Sequence, residues 1–269
     1  MQLLKPLSAV SFLLFACIST SAHVAAVNKI ESDPVDSTSF FTSNKIPPPG
    51  KNTVQLKSFI LPAALVTYGA ITLGNHSVNS LNAKIQDEIW VDKSHSLKHI
   101  DTYLQFAPAL SVYALNLAGI KGKNSFGDRS MIYLMSNIFV NAMVYPAKSI
   151  TKQLRPDGSN NNSFPSGHTA TAFASAEFMR MELKEVSPWY GVAGYAMAAA
   201  TGLLRMYNNK HWFSDVAAGA GVGIASTKLA YWLFPKIQHS LFKDKKTNTM
   251  ILPMYQNKSA GFSLVNNFK

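Results

Sequence analysis

At 269 residues the chain has room for one domain with a sizeable core, plus tails. It carries 25 Lys and Arg against 14 Asp and Glu, a formal charge of +11 that suits anionic partners such as phosphorylated substrates or acidic membrane surfaces. Nucleic acid is the least favoured of these, because the cations are scattered and no binding motif accompanies them; the single cysteine, Cys17, excludes an internal disulfide framework.

Residues 1–22 read as a secretory signal, with Lys5 as the positive start, an apolar stretch from Leu7 to Ile18, and Thr20-Ser21-Ala22 as a cleavage site. The apolar run is short for a membrane anchor, which favours cleavage over retention. Export would place the working site outside the cytoplasm, either at a bacterial-type inner membrane facing the periplasm or in the periplasm itself. Residues 23–55 are a polar lead containing Pro47-Pro48-Pro49-Gly50.

From residue 56 the chain alternates apolar segments with polar connections. The six segments are Phe59–Gly74, Thr102–Ile120, Ser130–Ala147, Thr169–Leu183, Ser187–Leu204 and Val216–Phe234, all rich in Ala, Leu, Met and Gly without period-two alternation. Helix therefore beats strand, and an all-α six-helix bundle over residues 56–236 is expected. Ser80–Ser94 adds an amphipathic surface helix with Leu81, Ile85 and Ile89 on one face. Segments two, three and five are long enough to span a bilayer, and a membrane-embedded bundle is the expected setting. Glu177, Arg180 and Lys228 argue against it unless the first two pair at i,i+3 and the third reaches out to water. Residues 237–269 hold a basic stretch and a tail that reads as a small β-hairpin packed on the body.

Chemistry concentrates in residues 148–215. Lys148 and Arg155-Pro156 stand seven residues apart; Pro165-Ser166-Gly167-His168 follows; Arg205, His211 and Asp215 complete the set. Three cations, Lys148, Arg155 and Arg205, could clamp the oxygens of a phosphoryl group. Two histidines from different fragments could divide nucleophilic and acid–base work. Asp215, four residues after His211, could fix the imidazole tautomer on a helical turn. Gly167 would let backbone N–H groups approach an oxyanion at a helix start, and Ser166 could donate its hydroxyl. His95, His99 and Asp101 also cluster, and read as a helix cap rather than a metal site. Lys152 and Lys210 read as solvated.

These fragments resemble the type 2 phosphatidic acid phosphatase family and its haloperoxidase relatives, whose pattern is K-x6-R-P, P-S-G-H and S-R-x5-H-x3-D. One position departs: Leu204 stands where the pattern has Ser, a position that is not catalytic in the family. The resemblance implies that His211 attacks phosphorus to give a phosphohistidine, Asp215 holds it, and His168 protonates the departing oxygen and later activates water. It implies phosphate binding by Lys148, Arg155, Ser166, Gly167 and Arg205, no metal or other cofactor, and a lipid phosphomonoester or pyrophosphate as substrate. Two alternatives stay open: a soluble periplasmic acid phosphatase of broad specificity, and a non-catalytic phosphate- or phospholipid-binding module.

Overall fold

Eight α-helices build the described part of the protein, a computed structural model covering residues 56–74, 76–91, 99–242, 249–256 and 259–266. In chain order they are α1 (Ile60–Thr72), α2 (His76–Gln86), α3 (Asp101–Leu104), α4 (Ala107–Leu117), α5 (Phe126–Thr151), α6 (Gly167–Leu183), α7 (Pro188–Tyr207) and α8 (Phe213–Phe242). Strands β1 (Thr249–Gln256) and β2 (Ser259–Asn266) follow and pair antiparallel, Thr249 opposite Asn266. The signal at residues 1–22, the polar lead at 23–55 and His95 lie outside the described residues.

Each apolar segment is helical, but the expected six helices become eight for local reasons. Pro108, at the second position of α4, has no N–H to give and its ring would clash with the Leu104 carbonyl, so the second segment breaks into α3 and α4. The amphipathic stretch expected at Ser80–Ser94 becomes α2, which begins at His76 and ends in a π-helical turn at Asp87–Val91. α8 does not stop before Pro235 but carries it and runs on to Phe242. No described helix is long and apolar enough to cross a membrane.

α8 packs against α1, α5 and α6, and α6 in turn packs against α7 and α4. Backbone meets backbone where α6 crosses α8. A Cβ on Gly219 would lie 2.5 Å from the Ser166 carbonyl oxygen, and one on Gly223 would overlap the carbonyl of Ala170. Around this contact Val140 and Val144 of α5, Ala170 and Ala174 of α6 and Val222 of α8 form one buried cluster. A second, of Ala109, Val112, Phe178, Met179 and Leu183, joins α4 to α6.

Glu177, fully buried in α6, is the polar knot of the bundle. Arg180 grips both its oxygens at 2.7 Å, Tyr195 of α7 donates at 2.5 Å, and Lys228 of α8 approaches to 3.4 Å. The i,i+3 pair forms as its spacing implied, whereas Lys228 turns inward to Glu177 instead of reaching out to water. Burial alone would raise the Glu177 carboxyl, but Arg180, Tyr195 and Lys228 outweigh it and hold the group below the ordinary carboxylate value.

Candidate active site

The fragments singled out in the sequence meet where α5 ends and α6 and α8 begin. Ser166 starts α6 as its N-cap: its backbone is extended and its Oγ accepts the Thr169 N–H at 3.4 Å. Its own N–H donates to the Asp215 carbonyl at 3.0 Å, which fastens the start of α6 to the start of α8. The loop entering α6 is tied down from three sides. Trp212 Nε1 donates to the Leu154 carbonyl at 2.9 Å, Asp157 N–H to the Asn209 carbonyl at 3.1 Å, and Lys148 Nζ to the carbonyls of Asn162 and Ser163 at 2.6 and 3.3 Å.

His211 is buried in the turn between α7 and α8, and its Nδ1 faces Asp215 Oδ2 at 3.5 Å, the outer edge of hydrogen-bond range. The same Oδ2 accepts from Ser163 Oγ at 2.5 Å and from the Trp212 N–H at 2.9 Å. Asp215 is the third residue of α8 and reaches back to the residue before the helix, the carboxylate half of a capping box. It is therefore not an N-cap but an inward-facing acceptor held by two donors. Burial, opposed by Asp215 and reinforced by Arg205 and Lys148, pushes the His211 imidazole down to about 4. A ring in that state is neutral at pH 7, with Nδ1 toward the carboxylate and the other nitrogen unprotonated.

His168, the second residue of α6, is likewise pushed down to about 4, by burial first and then by Arg205, Arg155 and Lys148, with Asp101 opposing. Lys148 falls to about 8 through burial and the charges of Arg155 and Arg205, and Arg155 is depressed by the same two kinds of effect, burial and the Arg205 charge. The charges of Arg205 and Lys148 act on both imidazoles, and that of Arg155 acts on His168 and Lys148. Arg155 Nε and Arg205 Nε are buried without a hydrogen-bond partner.

Several residues sit differently from their sequence reading. The Ser166 hydroxyl is engaged as the α6 cap and with Thr169 Oγ1 at 2.8 Å, so it is not a free hydroxyl donor. A Cβ at Gly167 would meet only Val144 Cγ1 at 3.7 Å, so the protein itself has room for one there. Lys210 is not simply solvated: it pairs with Asp157 at 2.6 Å. Asp101 is the main omission. Read as a cap, it lies at the start of α3 and accepts from Arg205 Nη1 at 2.7 Å, both groups buried. An acidic residue opening an apolar segment was the one visible hint; the 104-residue separation hid the partner. Ser163, which lies outside the three fragments, is the second omission: its Oγ donates to Asp215 Oδ2.

The helical bundle thus brings three basic residues and two histidines to the ends of α5, α6 and α7 and the start of α8. Residues 129–239, which contain all three fragments, match the PAP2 superfamily. The chain is 36% identical over 186 residues to the lipid A 1-phosphatase of Porphyromonas gingivalis, covering 69% of this chain and 39% of that protein. It is 34% identical over 102 residues to the bacitracin transport permease protein BcrC of Bacillus licheniformis, covering 37% of this chain and 48% of that protein. The matches thus span less than half the length of both curated relatives. Among solved structures, Aquifex aeolicus LpxE matches at 21% identity and TM-score 0.42, over 56% of this chain and 94% of its own. The first transmembrane PAP2 type phosphatidylglycerolphosphate phosphatase from Bacillus subtilis matches at 21% and 0.47, over 69% and 99%.

Proposed function

We propose that the chain is a metal-independent phosphatase that hydrolyses a lipid phosphomonoester or pyrophosphate through a phosphohistidine. The convergence of Lys148, Arg155 and Arg205 on two neutral imidazoles, one backed by Asp215, supports this reading most directly. The cations and the start of α6 bind the phosphoryl oxygens and stabilise charge as it develops. The free nitrogen of His211 bonds to phosphorus as the bond to the leaving oxygen breaks, and Asp215 stabilises the positive ring that results. His168 supplies the proton that departs with the leaving oxygen. Its depression comes partly from the cations, so an arriving phosphate dianion cancels much of that field and the ring takes up a proton with the substrate. Water then attacks phosphorus, gives its proton to His168, and the N–P bond breaks.

The lipid part of the reading draws on the lipid A 1-phosphatase likeness and on the outer faces of α4 and α5, where Leu110, Leu117, Met131, Leu134, Ile138 and Tyr145 are exposed. Apolar side chains in such number suit a membrane surface. The site would face the periplasm if residues 1–22 direct export. The decisive test is trapping by an alkaline denaturing quench with a labelled lipid phosphate. The wild type should accumulate an acid-labile, base-stable phosphoenzyme; His211→Ala should show neither phosphoenzyme nor turnover while its melting profile is retained. Turnover by a folded His211→Ala variant refutes the assignment. Retention in the membrane fraction after alkaline carbonate washing tests the setting, and release would favour the periplasmic acid phosphatase.

A further inference from the structure

The nucleophile turn is gripped from outside the three fragments, by α2. Asn82, fully buried, makes a two-point contact with Ser214: its Nδ2 donates to Ser214 Oγ at 2.9 Å and its Oδ1 accepts the Ser214 N–H at 3.0 Å. Ser214 is the second residue of α8, so its N–H is one of the donors that a helix start leaves without an internal partner. Asn82 caps α8 from a helix 132 residues away in sequence. One turn further along α2, Gln86 Nε2 donates to Asn209 Oδ1 at 3.1 Å. Asn209 holds a left-handed φ of 54°, a conformation that Asn tolerates better than most residues and that turns the chain toward His211.

Asn82 and Gln86 are four residues apart and share one face of α2. Their partners, Ser214 and Asn209, stand three residues after and two before His211. Between the two amides lies a small cleft lined by Ile85 of α2 and by Met206, His211, Trp212 and Phe213, so α2 leans directly on the turn that presents the imidazole. Asp215, next to Ser214, already divides Oδ2 among Ser163, Trp212 and His211. A small rotation of the first turn of α8 would move that carboxylate off Nδ1.

We infer that Asn82 and Gln86 are positioning residues that hold the His211 turn in register with Asp215, a role that rests on the phosphatase reading above. The hydrogen bonds described here run from these amides to the neighbours of His211 in the chain, Ser214 and Asn209. Their effect should fall on the attack step and leave anion binding by Lys148, Arg155 and Arg205 intact.

The test measures kcat, KM and orthovanadate inhibition on p-nitrophenyl phosphate with the full chain. Asn82→Ala should lower kcat about 10²-fold, the scale of a displaced catalytic group, while KM and the vanadate inhibition constant stay within about twofold. Gln86→Ala, which removes one hydrogen bond from a half-buried group, should lower kcat about 3- to 10-fold with the same constancy. Wild-type kcat in both folded variants overturns the clamp. So does a rise in KM and in the vanadate constant that parallels the fall in kcat, since α2 would then scaffold the whole pocket. Should Asn82→Ala fail to fold, Gln86→Ala decides by the same criteria. A wild type with no turnover and no His211 phosphoenzyme removes the phosphatase reading, and the clamp falls with it; an active wild type with unaffected variants removes the clamp alone.

Discussion

Replacing Asp101 by Asn should weaken the protein and its catalysis while tightening its hold on phosphate. Arg205 spends Nη1 on Asp101 at 2.7 Å, with side-chain exposures of 10% and 1%, so the pair is buried. Removing one member of a buried pair costs about 3–5 kcal/mol, because the other charge is left uncompensated. At about 2–4 °C per kcal/mol for a chain of this size, the melting temperature should drop by roughly 6–20 °C. A released guanidinium beside Lys148 and Arg155 has every reason to take an anion, and one charge-assisted hydrogen bond makes inorganic phosphate bind about tenfold tighter or more. Phosphate should therefore restore more thermal stability to Asp101→Asn than it adds to the wild type. Turnover should move the opposite way. Arg205 is no longer aimed, and His168 loses a charge that raises its pKa, so kcat should fall on the order of 10²–10³. Differential scanning fluorimetry across a phosphate titration, with kcat on the same samples, measures both. Phosphate affinity falling together with kcat, or a melting temperature within about 2 °C of wild type, would refute Asp101 as the partner that aims Arg205.

Three further outcomes follow from the same pocket. His168 and His211 sit near 4 when folded against an ordinary 6.5, so as pH falls the unfolded chain takes up protons first: stability is complete above about 6.5 and drains away toward 4. The melting temperature should trace that loss, and His168→Ala should flatten it; an unchanged slope would show that His168 is not the group responsible. Arg155→Lys should lose about 10²–10³ in kcat/KM, since an ammonium cannot reproduce a planar fork with a buried, unpartnered Nε, and near-wild-type efficiency would remove Arg155 from the clamp. Activity should persist in EDTA and be blocked by orthovanadate; loss on chelation with recovery on Mg²⁺ would mean that a metal carries the charge assigned here to Lys148, Arg155 and Arg205.

Residues whose spacing is short were legible in the chain. The four-residue step from His211 to Asp215 and the Ser-Gly start of α6 follow from local geometry: the carboxylate lies 3.5 Å from the imidazole, and Ser166 is the N-cap of α6. Asp101, Ser163, Asn82 and Gln86 were not, because each acts on a partner reached only through the fold. Asp101 looked like any acidic helix start, Ser163 like one more polar residue in an Asn-rich loop, and Asn82 lay inside a stretch whose apolar face drew the eye. Lys228 went wrong for a related reason: a lone lysine in an apolar segment reads as reaching outward until the buried Glu177 beside it is seen. Helix boundaries failed at the prolines. Pro108 broke a helix where the apolar run was continuous, and Pro235 failed to break one where the run stopped.

The contact at Gly219 and Gly223 has a consequence for how such a site can change over time. Main chain rests on main chain there, so no rotamer can yield to absorb a shift, and the spacing between the turn bearing His211 and the helix start bearing His168 is written in backbone. A methyl group at Gly223 would not trim activity by degrees; it would wedge the two helices apart and lose both imidazoles to each other. Variation must therefore fall elsewhere, on surfaces that meet their neighbours through side chains rather than through main chain. The reacting distance is inherited whole, and only the approach to it is open to variation.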